Sequence, residues 1–172
     1  MLNGIAAAAG PALAGFLAAL LSLGCVVLAG AAPAWSLPTV AQACAPIDAA
    51  GVETLFQGWA EAVASGDAEA VAALYADDAL LLPTLAADLR HDHRSIAAYF
   101  AGFLQRHPSA EVIERQVLTG CNEVVDAGLY RFTFHDQRGE QNGDVLARYT
   151  MIYRHGPEAW RLVHHHSSLL PA

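Results

Sequence analysis

The apolar residues of this chain keep three different rhythms, and each change of rhythm marks a change of structure. From Met1 to Ala34 no side chain is charged, and Ile5 to Ala29 is almost wholly Ala, Leu, Gly and Val. A run of that kind reads as the hydrophobic part of a secretory leader. Two Ala-x-Ala cleavage sites follow, Ala32-Pro33-Ala34 and Ala41-Gln42-Ala43. A membrane-spanning anchor is the alternative, because the run is long enough to cross a bilayer. Residues 35–48 hold two prolines and small residues, and are expected to be a linker or loosely attached extension; Cys44 in them could alternatively carry a lipid. The domain proper is expected over residues 49–172.

The second rhythm is helical. Val52, Leu55, Phe56, Trp59 and Val63 share one face of a helix expected over residues 49–64, which Gly66 ends. Asp67 opens a short helix expected over 68–75. Ala76 to Ala79 is expected to turn, and Leu80-Leu81-Leu82 to form a short buried strand stopped by Pro83. Thr84 to Arg90 is loop. Asp92 then caps a third helix expected over 93–106, with Ile96, Phe100, Phe103 and Leu104 on its apolar face. After Pro108 the period falls to two. Residues 112–118, 122–135, 144–154 and 160–169 read as four antiparallel strands, with turns at Arg138 to Gly143 and His155 to Glu158. Helices followed by a meander give an α+β domain, in which a curved antiparallel sheet wraps the N-terminal helices as a cone with a pocket inside.

Charge narrows the possible roles. The formal net charge is −8, every basic residue is Arg, and the first of them is Arg90. An acidic chain without a basic patch is not expected to bind nucleic acid. The absence of lysine removes Schiff-base chemistry. With the leader gone, Cys44 and Cys121 remain, either free or paired so as to tie the extension to a strand.

The last strand carries the densest chemistry, His164-His165-His166-Ser167-Ser168. Simple alternation places Trp160, Leu162, His164, His166 and Ser168 on one face and Arg161, Val163, His165 and Ser167 on the other. Because Arg161 belongs near solvent, the even set is expected to face the pocket, although a bulge would exchange the two sets. His164 and His166 could share a metal if His91 or His93 supplied a third ligand. Arg148 could hold an anion. The sheet offers no evident deep carboxylate.

Trp59, Ser65-Gly66-Asp67, Tyr75-Ala76-Asp77-Asp78 and the ending Trp160-Arg161-Leu162-Val163-His164 together resemble the nuclear transport factor 2-like superfamily. Within it they are similar to the association domain of calcium/calmodulin-dependent protein kinase. His164-His165-His166-Ser167-Ser168 followed by Pro171, with Leu82-Pro83-Thr84 and Tyr99-Phe100, resembles the iota class of carbonic anhydrases. That resemblance implies reversible hydration of carbon dioxide to bicarbonate by Thr84, Tyr99, His164, His166 and Ser168, with no resident cofactor required although zinc or manganese would be compatible. It also implies a homodimer paired through the sheet. Other members imply a non-enzymatic ligand-binding or assembly domain, or an isomerase or dehydratase. An imidazole that titrates near neutrality would be the natural proton acceptor for hydration.

Overall fold

The computed structural model describes residues 43–171, so the expected leader lies outside the described residues. The described chain runs α1 (Ala49–Ser65), α2 (Ala68–Ala72), β1 (Tyr75–Leu82), α3 (His93–Phe103), a 3₁₀ turn (Leu104–Arg106), β2 (Pro108–Thr119), β3 (Glu123–His135), β4 (Gln141–His155) and β5 (Trp160–Leu169). Each helix starts where a short acidic side chain can satisfy free backbone N–H groups. Asp48 accepts from the Gly51 amide, Asp67 from those of Glu69 and Ala70, and Asp92 forms a capping box with Ser95. Gly66 ends α1 at φ 78°, a conformation glycine adopts without a Cβ penalty.

The sheet has five strands in the order β1-β5-β4-β3-β2. All neighbours are antiparallel except β1, which lies parallel to β5 at one edge. The α+β cone expected from the pattern is present with several boundaries shifted: α2 ends at Ala72 rather than 75, α3 passes into the 3₁₀ turn after Phe103, and β4 starts at Gln141 rather than 144. The strand expected at Leu80 begins at Tyr75, and the turn expected at Ala76–Ala79 survives as an irregularity where the β1–β5 register shifts between Tyr75 and Leu80. Only Leu81 of the three leucines is buried, since alternation leaves Leu80 and Leu82 on the outer side. β2 starts four residues early at Pro108, because a proline is tolerated as the first residue of a strand.

The concave face of the sheet holds the core. Val124, Tyr130, Phe132 and Phe134 of β3 and Ala147, Tyr149, Met151 and Tyr153 of β4 are buried against Phe56, Trp59 and Val63 of α1 and Ile96, Phe100 and Phe103 of α3. Trp59 sits at the centre, with the rings of Phe56, Phe100, Tyr130, Phe132 and His165 all within 6.5 Å of its own. Filling the cone with aromatic rings leaves little room for a ligand. Curvature at the far edge comes from a register shift between Val112 and Glu114 of β2. There β2 passes so close to Gly128 that a Cβ would fall 1.8 Å from the Glu114 carbonyl oxygen, and only glycine fits.

Cys44 is bonded to Cys121, a separation of 77 residues. Cys121 stands in the β2–β3 turn rather than in a strand, and the next residue, Asn122, accepts a 2.6 Å hydrogen bond from the Ala45 amide. Residues 44–48 are therefore pinned to the tip of a hairpin instead of hanging loose, and Cys44 has no thiol left for a lipid. A bridge that closes so long a loop is worth about 2–4 kcal/mol to a folded domain.

Candidate functional site

β5 is where alternation misleads. Tyr153 of β4 pairs with Leu162, but the next residue along, Ile152, pairs with His164. Two residues of β5 thus oppose one of β4, a β-bulge at Val163 that advances every later side chain by one position. Leu162 points inward before the bulge; His165 and Ser167 point inward after it, at 2% and 5% exposure. The expectation that His164, His166 and Ser168 line the pocket is corrected accordingly. All three stand on the outer face, opposite Ile152, Thr150 and Arg148, and His166 is exposed.

The parallel register of β1 against β5 sets Leu82 level with His166, and so brings Thr84 beside Ser167 two residues past the strand. The Thr84 and Ser167 hydroxyls are in hydrogen-bond contact. Tyr99 arrives from α3, its ring stacked on Phe103 at 5.8 Å. Thr84, Tyr99, Ser167, His165 and Tyr130 line one cavity of about 10 Å³, with Trp59, Leu81, Pro83, Phe100, Phe103 and Phe132 as its apolar wall. That volume seats roughly one water molecule. Of the five expected site residues, the structure brings Thr84 and Tyr99 together. Ser167 and His165 take the places expected for Ser168 and one of the outward histidines. Tyr130 was not anticipated; its only signal in the sequence is an inward position on the third strand.

The hydrogens in this cluster run in one direction. The Trp59 indole, a donor only, donates to the Tyr75 hydroxyl at 3.1 Å. Tyr75 can then direct its own hydrogen only to His165 Nδ1, 2.8 Å away. With Nδ1 an acceptor, the neutral ring carries its proton on Nε2, which faces the Tyr130 hydroxyl at 3.4 Å. Tyr130 in turn donates to Ser167 at 2.5 Å, and Ser167 meets Thr84. The chain Trp59–Tyr75–His165–Tyr130–Ser167–Thr84 therefore ends with hydroxyl hydrogens at the cavity.

Burial dominates the titration of this cluster. Enclosure, followed by the neighbouring imidazoles of His164 and His166, pushes His165 down to about 3. The neutral-pH proton acceptor expected in the pocket is absent in that role: His165 is locked neutral with both nitrogens committed. Burial likewise raises the Tyr130 phenol, partly offset by Ser167 and Thr84. It raises Tyr99 to about 12, against the opposing pull of Arg90 and Arg106. Both phenols stay protonated donors at any physiological pH.

A stability signature follows from His165. A histidine depressed in the folded state contributes fully above the unfolded value of 6.5 and loses that contribution as pH falls toward 3. The slope below pH 6.5 is at most about 1.4 kcal/mol per pH unit. Urea unfolding between pH 7 and 5 is expected to be less pH-dependent in His165→Gln by that margin. Parallel curves for the two proteins would contradict a buried neutral imidazole.

The remaining candidates lie elsewhere. His93 is bonded to Glu69 at 2.9 Å, His91 is exposed beside Asp92, and Arg148 reaches the Leu169 carbonyl from the outer face. Among the described residues no three His, Cys, Asp or Glu side chains are grouped to hold a metal. The donor set of the cavity, hydroxyls and one committed imidazole, does not fit zinc or manganese. A deep carboxylate does exist, contrary to expectation. Asp126 of β3 is fully buried, but it accepts from Arg115 and Tyr149 and does not line the cavity.

Comparison with known proteins places this geometry. The family described as the calcium/calmodulin-dependent protein kinase II association domain matches residues 48–171. A crystal structure from Xanthomonas campestris, described as such an association domain, is 39% identical with a TM-score of 0.68, covering 73% of this chain and 90% of its own. A nuclear transport factor 2-like protein with a cystatin-like fold from Novosphingobium aromaticivorans is 17% identical, with a TM-score of 0.60 over 70% of this chain and 80% of its own. A protein of that family from Streptomyces avermitilis, described as a dehydratase, is 16% identical, with a TM-score of 0.58 over 70% and 94% of the two chains. The last two show the fold alone, which is nuclear transport factor 2-like. Among curated proteins none matches.

Proposed function

Starting from a chain that belongs to the calcium/calmodulin-dependent protein kinase II association domain family, we propose that its hydroxyl-lined cavity hydrates carbon dioxide reversibly to bicarbonate and a proton. The observation that carries this reading is the cavity itself, on the scale of one water and edged by the Thr84, Ser167, Tyr130 and Tyr99 hydroxyls. A space so small seats one water molecule, which carbon dioxide would meet at the cavity edge, and it excludes an organic acid or a ring system. Asp126, held by Arg115 and Tyr149 away from the cavity, is no free base for a dehydratase or isomerase.

In the forward direction the water oxygen bonds to the carbon of carbon dioxide as one of its O–H bonds breaks. Negative charge grows on the carbon dioxide oxygens, and the hydroxyl hydrogens of Thr84 and Tyr99 are placed to stabilise it. The proton leaves through the cavity mouth to solvent, because His165 cannot accept it. His165 and Tyr130 act as positioning residues that orient the Ser167 and Thr84 hydroxyls. Without a group that lowers the pKa of the water toward about 7, turnover is expected to be slower than in zinc enzymes and sensitive to buffer. Stopped-flow hydration by the oxidised protein, with and without a chelator, tests this. Activity that survives chelation supports the hydroxyl site, and no activity above buffer removes the reading.

A second reading concerns the outer face, and it is compatible with the first. Leu80 and Leu82 are 39% and 36% exposed beside His164, His166 and the half-buried Ile152. We assign this face to pairing with a second copy of the chain, as the word association implies for the family. Sedimentation velocity that finds only monomer at micromolar concentration would remove that assignment. Export is proposed alongside, from the uncharged segment Met1–Ala34 and from the Cys44–Cys121 bridge, which requires an oxidising compartment to persist.

A further inference from the structure

Tyr99 and Phe103 have two sides. Inward they wall the small cavity; outward they wall an open depression of about 420 Å³ whose other polar lining groups are Arg90 and Arg106. No carboxylate lines this depression. Arg90 is held in place by its backbone, which exchanges hydrogen bonds of 2.8 and 2.9 Å with Leu81. The acid beside its guanidinium is Asp88, 3.9 Å away and 85% exposed, too long and too wet to neutralise it. Arg106 lies over the Phe134 ring at 3.5 Å and is in no ion pair among the described residues. Arg90 and Arg106 thus both line one depression on the outer side of Tyr99 and Phe103, on a chain whose formal net charge is −8.

An acidic protein gains nothing in solubility by gathering two of its nine basic residues around one apolar depression. Guanidinium groups recognise planar oxyanions through paired N–H donors. We propose that this depression is a binding site for small monovalent oxyanions of the bicarbonate class, held by Arg90 and Arg106 on their way into or out of the inner cavity. The choice of bicarbonate as physiological ligand rests on the carbon dioxide reading; the anion site itself does not.

The test is titration of the oxidised protein with sodium formate, an unreactive planar anion, followed by NMR on the Arg side-chain and backbone amide signals. Saturable shifts are expected at Arg90, Arg106 and residues 98–103. The Arg90→Gln/Arg106→Gln double variant is expected to bind formate about tenfold more weakly, in line with the loss of charged hydrogen bonds. Arg106→Lys, which keeps the charge, is expected to retain most of the affinity. Unchanged binding in the double variant, or shifts confined to other surfaces, would overturn the site. Carbon dioxide hydration measured on the same samples separates the two ideas. Inactive protein whose formate binding depends on the arginines would remove the hydration reading and leave the anion site. Active protein whose formate binding ignores them would do the reverse.

Discussion

Ser167→Ala is expected to lower carbon dioxide hydration by about 100-fold, because it removes the hydroxyl that orients Thr84 and so costs one preorganised donor at the developing oxyanion, while Ser168→Ala stays within about twofold of the parent. The contrast follows from the bulge at Val163. Ser167 is buried, meets Thr84 and accepts from Tyr130, whereas Ser168 lies on the outer face opposite Arg148. Neighbouring serines so alike in sequence should differ by two orders of magnitude in effect. Tyr130→Phe supplies the second arm. It keeps the ring stacked near Trp59 and removes only the hydroxyl that orients Ser167, so it should lower kcat without altering the folded state. Stopped-flow rates read all three variants, with near-ultraviolet circular dichroism as the check on folding. Equal losses at Ser167 and Ser168, or a loss at Ser168 alone, would place the reacting atoms on the other face of β5 and dismantle the site described here.

Why the sequence misplaces this one strand, while ordering almost every element correctly, has a physical answer. Helices announce themselves by caps, and here Asp48, Asp67, Asp92 and Gly66 are all where the chain enters or leaves a helix. A strand announces only its period. A bulge interrupts that period without requiring a Gly or Pro, and Leu162-Val163-His164 contains neither. The bulge has a long-range counterpart: β1 is irregular at the same level, between Tyr75 and Leu80, so the pairing of β5 with both neighbours shifts register together. The parallel pairing of β1 with β5, which delivers Thr84 to Ser167, is equally a long-range fact that periodicity does not record. Residue identities survived the error better than orientation did. Thr84 and Tyr99 entered through resemblance to a family, and they meet in one cavity. His165 did not keep the role expected of an imidazole, because titration depends on enclosure and enclosure depends on which way the strand is phased.

The same limit hid Asp126, and it yields the second large effect. In sequence Asp126 is an acid between Val125 and Ala127, indistinguishable from a surface residue. In the fold its carboxylate has no exposure, with one oxygen accepting from Arg115 Nε at 2.9 Å and from the Tyr149 hydroxyl at 2.8 Å. Arg115 also bridges to Glu53 on α1 and covers the Phe56 ring at 5.1 Å, so one guanidinium joins the sheet to the first helix. Asp126 Oδ2 and Arg115 Nη2 find no protein partner, and burial holds the Asp126 carboxyl above its ordinary range despite Tyr149 and Arg115. Removing the cation should therefore be severe. Arg115→Met is expected to cost about 3–5 kcal/mol at neutral pH, because it strands a buried carboxylate. The sign of the pH dependence is fixed by the raised value. A folded-state carboxyl that titrates above the unfolded 3.8 keeps its proton longer, so the variant loses stability as pH rises from about 4 and recovers it on acidification. Urea unfolding of the variant at pH 5 and pH 8 should show the smaller deficit at pH 5. Arg115→Met/Asp126→Leu, with neither charge present, should regain most of the loss at both values. A deficit that is identical at the two pH values, or that persists in the double variant, would mean that Arg115 matters for its packing on Phe56 and its bridge to Glu53 and not for the charge it balances. If instead the double variant regains stability and still hydrates carbon dioxide, the deepest carboxylate of the sheet is a structural counter-charge, and the chemistry lies with the hydroxyls at the other side of Tyr130.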